Sequence, residues 1–144
     1  EIYKNVTLAH LGNLVPPIFG SRHELDISDR LVKTTGVRPP NSRMLIGHLS
    51  GGNQQKVVLA KWLTKLPKVL ILNEPTRGMD VGAKREVLDL IKTLRAEGVA
   101  IILMSTEPET VLAESDRIFV LSKGQISAEF REGRVTKEAL LVHA

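Results

Sequence analysis

Two short runs of unbroken apolar residues constrain this chain more than any other feature. Val69–Leu72 (VLIL) and Val99–Met104 (VAIILM) are each about one strand long. Between them lies a helical pattern. Val87, Leu88, Ile91 and Leu94 form an apolar stripe on a helix that starts at Asp80 or its neighbour and runs to about Glu97, with Gly98 capping its end. Two strands joined through a helix pair in parallel, by a right-handed crossover. Strands apolar at every position predict a sheet covered on both faces. The alternation continues with a short helix around Glu109–Glu114 and a strand at Arg117–Ser122. Lys123–Gly124 then makes a tight turn into Gln125–Phe130, which reads as a hairpin at the sheet edge, and a last short helix covers about Lys137–Val142. The expected fold class is α/β: a partial parallel sheet with flanking helices, preceded by a small helical subdomain. The expected division is 1–66 for the helical part and 67–144 for the α/β part with its C-terminal hairpin and helix.

The N-terminal part has no strand pattern. Residues 1–23 read as a short helical piece followed by a loop, because Pro16–Pro17 and Gly20 oppose regular structure. From Glu24 to about Thr35, the positions of Leu25, Ile27, Leu31 and Val32 suit an amphipathic helix. Arg38 precedes Pro39 and is held out of the helical region. The clearest helix runs from Ser50 to about Leu66. It places Val58, Leu59, Trp62, Leu63 and Leu66 on one face and Lys56, Lys61 and Lys65 elsewhere, with Pro67 as its stop.

Composition excludes several classes. A chain of 144 residues with 42% hydrophobic and 25% charged residues has the make-up of a folded, water-soluble domain or a large piece of one. No apolar run approaches the roughly 18 residues of a membrane span, and the N-terminus carries no basic-then-apolar leader. Cysteine is absent, so there are no disulfides or thiolate metal sites. The net charge of +4 is scattered and aromatics are only 3%, which argues against a nucleic-acid stacking surface. His10, His23, His48 and His143 have no zinc-like spacing.

Two stretches have the residue types for chemistry. In HLSGGNQQKV (His48–Val57), Ser50 is a good helix cap, and two glycines leave the amides of the first turn uncovered. That arrangement suits an anion, although Ser-Gly-Gly equally suits a plain loop ending in a cap. In KVLILNEPTRGMD (Lys68–Asp80), a strand delivers Asn73 and Glu74 to its carboxyl end, the side where open α/β sheets bind ligands. Glu74 could orient or deprotonate a water there, or simply mark the strand's exit to solvent. Asp80 reads as a helix cap or as a functional carboxylate. The chain contains no Gly-Lys pair, hence no phosphate-cradling P-loop of its own.

LSGGNQQKVVLAKWL (Leu49–Leu63) followed by VLILNEPTRGMDVGAKREV (Val69–Val87) resembles an ATP-binding cassette ATPase. The wording is more specifically similar to the second cassette in the duplicated ATPase subunits of monosaccharide importers of the ribose, xylose and galactose type. MSTEPETVLAESDRIFVLSKGQI and the opening IYKNVTLAHL fit the same family. The resemblance implies a P-loop NTPase-like fold with the P-loop half absent, and ATP and Mg2+ as cofactors of the full assembly. Leu49, Ser50, Gly51, Gly52, Asn53 and Gln54 would be the signature that meets the terminal phosphate of ATP held by a second cassette. Asn73 would occupy the magnesium position of the Walker B strand, Glu74 the catalytic position, Asp80 the D-loop and Thr106 the switch position. Asn73 departs from the family's aspartate, and an uncharged amide oxygen is a weaker magnesium ligand. Thr106 stands where most cassettes carry histidine. The implied assembly has one competent and one impaired ATP site. Its implied partners are a second cassette, transmembrane permease subunits and, indirectly, a sugar-binding protein outside the cytoplasm, at the cytoplasmic face of the membrane and without nucleic acid. The alternatives are a soluble cassette ATPase acting on nucleic acid or ribosomes, and an inactive truncated cassette. The isolated chain is expected to be inactive as an ATPase.

Overall fold

The computed structural model describes residues 1–10, 20–131 and 135–144. Pro16 and Pro17, at the centre of the expected N-terminal loop, lie outside them. The described elements, in chain order, are α1 (Ile2–Thr7), α2 (Gly20–Thr34), α3 (Gly51–Trp62), β1 (Val69–Asn73), α4 (Val81–Ala96), β2 (Ala100–Met104), α5 (Pro108–Glu114), β3 (Arg117–Ser122), β4 (Gln125–Arg131) and α6 (Lys137–His143). The chain forms two compact units. The first comprises Glu1–Leu70 with Thr76–Ala100, and the second Ile71–Pro75 with Ile101–Ala144.

In the first unit, α1, α2 and α3 enclose a core of Ile2, Val6, Val32, Val37, Leu49, Val57 and Ala60. Helix α1 is short, so its unsatisfied first-turn amides matter. The segment before α3 satisfies them: the amides of Ile2 and Tyr3 donate to Met44 O and Ser42 O, both at 2.9 Å. Buried Ser28 donates from Oγ to Ser42 Oγ at 3.0 Å, which ties α2 to the same segment. Helix α2 is described from Gly20, four residues before the expected Glu24.

Helix α3 differs from expectation in its face and its end. Val58, Trp62 and Leu66 are about half exposed, whereas Lys56, Val57, Leu59, Ala60 and Leu63 are buried. The inward register is thus rotated toward Lys56. The helix ends at Trp62, well before Pro67, because the Leu63 amide bonds to both Ala60 O and Leu59 O and the Thr64 hydroxyl takes Lys61 O at 3.1 Å. Those contacts satisfy the terminal carbonyls four residues early.

Lys56 is only 3% exposed. Its ammonium forms an ion pair with Glu86 of α4 and donates to Gly36 O at 3.1 Å. Glu86 also faces the Arg38 guanidinium at 3.8 Å. The hydrogen bond and charge of Lys56 hold the Glu86 carboxyl below its ordinary range.

Helix α4 has the expected core stripe of Val87, Ile91 and Leu94, joined by Leu90. Asp80 caps it, with Oδ1 accepting the Ala83 amide at 2.8 Å. Strands β1 and β2 form a two-stranded sheet. The Ala100 amide donates to Lys68 O at one end, and the Glu74 amide to Met104 O at the other, as parallel strands require. Burial alternates along β1, and Val69 and Ile71 are 53% and 62% exposed; on β2, Ile102 and Met104 are exposed as well. One face of each strand is therefore open, contrary to the doubly covered sheet expected from the apolar runs.

In the second unit, β3 and β4 form an antiparallel hairpin as a separate sheet, not an edge of the first. Lys123 and Gly124 both have positive φ, 50° and 79°, the backbone of a tight hairpin turn. Ile118 and Val120 pack with Leu140 of α6. Thr136 caps α6 by accepting the Ala139 amide.

Removing the partner of a buried ammonium is costly, whereas replacing the ammonium with an apolar group is not. Glu86→Gln is expected to destabilise the protein by about 2 kcal/mol at pH 7, and Lys56→Met by less. Because Glu86 has a lowered pKa when folded, its contribution is complete above the ordinary glutamate range and is lost as pH falls through the folded value. Urea denaturation of each variant at neutral and acid pH checks both the ranking and the pH window.

Candidate functional site

The residues singled out in the sequence fall in two groups, one in each unit. Leu49–Gln54 and Asp80 belong to the first. Asn73, Glu74 and Thr106 belong to the second.

The first group is the N-terminus of α3. Leu49 is buried and anchors the approach, with its amide bonded to Ile46 O at 3.0 Å. Ser50 is the N-cap residue, in extended backbone, but its side chain makes no capping bond to the helix. Instead Ser50 Oγ accepts Asn53 Nδ2–H at 3.0 Å. Asn53 Oδ1 in turn accepts the backbone N–H of Arg38 at 2.8 Å. Gln54 folds back, its side-chain amide donating to Leu49 O at 2.9 Å.

The two glycines differ. A Cβ on Gly51 would meet nothing within 4 Å, so its surface is open. A Cβ on Gly52 would come within 3.0 Å of Ala83 Cβ on α4, so here glycine permits close approach of two helix starts. Ala83 is the residue whose amide Asp80 caps. The result is a helix start with Ser50 and Gly51 exposed, no side-chain capping bond and no acidic side chain in its first turn. That is the chemistry of an anion site.

The second group lies at the carboxyl end of β1. Asn73 is exposed and Glu74 is half-buried. Glu74 has φ +47°, a left-handed conformation disfavoured for a non-glycine residue. Bonds from the segment after β2 hold it there. The Thr106 backbone amide donates to Glu74 Oε1 at 2.7 Å, and Ser105 Oγ lies 3.4 Å from Oε2. Thr106 thus meets the carboxylate through its main chain, not its hydroxyl. Pro75 and Thr76, immediately after, are buried.

Among the described residues no three of His, Cys, Asp and Glu come together as a metal site. Asn73 offers a neutral amide oxygen, and Glu74 is engaged by the 105–106 segment. The start of α3 presents donors suited to an anion, and Asn73 presents a neutral amide oxygen beside Glu74.

Several residues of this arrangement had not been singled out. Lys56 and Ala83 stand on helices that the sequence pattern predicts, but the apolar face predicted for α3 leaves Lys56 off it. Its position four residues before Ala60 was the available signal. Arg38, Glu86 and Ser105 carried none, since a surface charge or a loop serine has no distinctive pattern.

The arrangement is that of an ATP-binding cassette. A dimeric cassette in a post-hydrolysis state with ADP and Pi superimposes with a TM-score of 0.78 at 19% identity, over 93% of this chain and 57% of that one. A cassette of a metal-chelate type transporter in an inward-facing conformation gives 0.81 at 18%, over 99% and 57%. The ABC transporter family profile matches residues 6–77. The chain belongs to the ABC transporter family. It is 44% identical over its whole length to the ribose import ATP-binding protein RbsA of Bacillus subtilis and to the xylose import ATP-binding protein XylG of Moorella thermoacetica. It spans 29% of the length of each of these relatives.

A methyl at residue 51 has room, and alanine is the better helix former. Gly51→Ala is expected to raise stability by up to about 0.5 kcal/mol, while Gly52→Ala gains nothing or loses because it must move Ala83. Paired thermal melts of the two variants check this difference.

Proposed function

We propose that this chain is part of the ATP-binding, ATP-hydrolysing subunit that powers monosaccharide import across the cell membrane. The observation that carries this is its identity, along its full length, to ribose and xylose import ATP-binding proteins. None of the helices among the described residues is long and apolar enough to cross a membrane. The proposed location is peripheral, at the cytoplasmic face, with transmembrane permease subunits as partners and a sugar-binding protein on the other side acting through them.

Its main contribution is the α3 start. Leu49–Gln54 would be the signature, presented to the terminal phosphate of an ATP held by a second cassette. The Ser50 hydroxyl and the open amides beside Gly51 would supply the hydrogen bonds. Asp80 would lie in the D-loop facing that partner. The bound Mg2+ would neutralise phosphate charge, and the Walker B position here, Asn73, is poorly suited to assist it. Glu74, in the catalytic position, and Thr106, at the switch position, would then belong to the impaired site of the pair. The helical part, 1–66, would form the signature subdomain, and 67–144 the Walker B half. The open faces of β1 and β2 would be covered by the remainder of the cassette, of which this chain matches 57% in the solved examples. The isolated chain should therefore hydrolyse no ATP.

The test uses the full-length subunit reconstituted with its permease. Ser50→Arg places a bulky cation on the anion site and is expected to lower transport ATPase activity by on the order of a hundredfold or more. Asn73→Asp is expected to change it by less than about tenfold. Unchanged activity in Ser50→Arg contradicts the signature role, and a large gain in Asn73→Asp contradicts the assignment of Asn73 to an impaired site.

A further inference from the structure

We propose that Asn53 is a positioning residue, which turns the Ser50 hydroxyl into an outward-facing hydrogen-bond donor instead of touching phosphate itself. The inference deepens the signature role and rests on it.

The argument starts from an asymmetry of donors. The Arg38 group facing Asn53 is a backbone N–H, which can only donate. The oxygen of the Asn53 amide must therefore face Arg38, at 2.8 Å, and its NH2 must face Ser50. The Ser50 oxygen thus receives a hydrogen from Nδ2 at 3.0 Å. A hydroxyl that accepts on its inner side keeps its own hydrogen for another acceptor. Ser50 is exposed and makes no capping bond to α3, so that hydrogen is directed to solvent or to a ligand above the helix start. An anion presents only acceptors, and a hydroxyl with a fixed outward hydrogen meets it without first giving up a bond to the helix.

Asn53 is itself held by what holds Arg38. Gly36 O is bonded to buried Lys56, and the Val37 amide to Val32 O at 3.0 Å. The Arg38 guanidinium lies 3.8 Å from Glu86, the partner of Lys56. The loop 36–38 is thereby fixed to α2, α3 and α4 together. Both ends of the Asn53 amide have a partner within the protein, which fixes the orientation in which its NH2 meets Ser50.

A double-mutant cycle in the full-length, reconstituted subunit separates this role from a direct or purely structural one. Ser50→Ala, Asn53→Ala and the double variant are compared for ATPase kcat and KM, with circular dichroism confirming that each folds. Asn53→Ala alone is expected to lower kcat/KM by about tenfold. In the Ser50→Ala background the same change is expected to have less than about a twofold effect, because the hydroxyl it orients is gone. Full multiplication of the two effects overturns the proposal and leaves the signature role standing. If neither single variant alters activity, the signature role fails, and this proposal with it.

Discussion

One ammonium group, Lys56 Nζ, joins three segments of the first unit. It bonds to the carbonyl of Gly36 in the turn after α2, it belongs to α3, and it pairs with Glu86 of α4. Burying a charge without partners is prohibitive, so these segments must arrive together. Their arrival sets the start of α3 against the start of α4, where Gly52 leaves only enough space for Ala83. It also brings the loop carrying Arg38 to Asn53, and through Asn53 to Ser50. The start of α3 is thus positioned by the ion pair of a buried lysine about one and a half helical turns further along the helix.

The second unit handles its key residue differently. Glu74 is held in a left-handed backbone conformation by bonds to the segment that follows β2. Its carboxylate rests on a main-chain amide, and the neighbouring Asn73 contributes no charge. An exposed, donor-rich helix start in one unit and a tethered carboxylate beside an asparagine in the other fit a division of labour. Under the proposed function, one end would complete an ATP site built largely by a partner, and the other would belong to a weaker site.

Much of the fold was legible because local signals agreed with one another. The β1–α4–β2 unit follows from two apolar runs, a stripe at Val87, Ile91 and Leu94, an aspartate cap and a glycine stop. The hairpin follows from Lys123–Gly124. The register of α3 was not legible: Val58 and Trp62 look like core residues, and a lysine looks like surface, until Glu86 arrives from thirty residues away to neutralise it. The open faces of β1 and β2 escaped for a related reason, since an apolar run records that a strand is to be covered and not what covers it. At the candidate site, the residue types of LSGGNQ and NEP were visible in order. The bonds that orient them, from Arg38 and from the Thr106 amide, were not, because main-chain donors carry no sequence signature.

In the proposed function, Leu49–Gln54 faces the terminal phosphate of a bound nucleotide. The most direct measurement is photolabelling of the full-length subunit, in its assembled transporter, with an ATP analogue that carries the reactive group on its terminal phosphate. The labelled peptides are then mapped. Label is expected within the peptide spanning His48–Lys56. Label confined to peptides containing Asn73–Asp80 or Ser105–Thr106, with none at the start of α3, would contradict it.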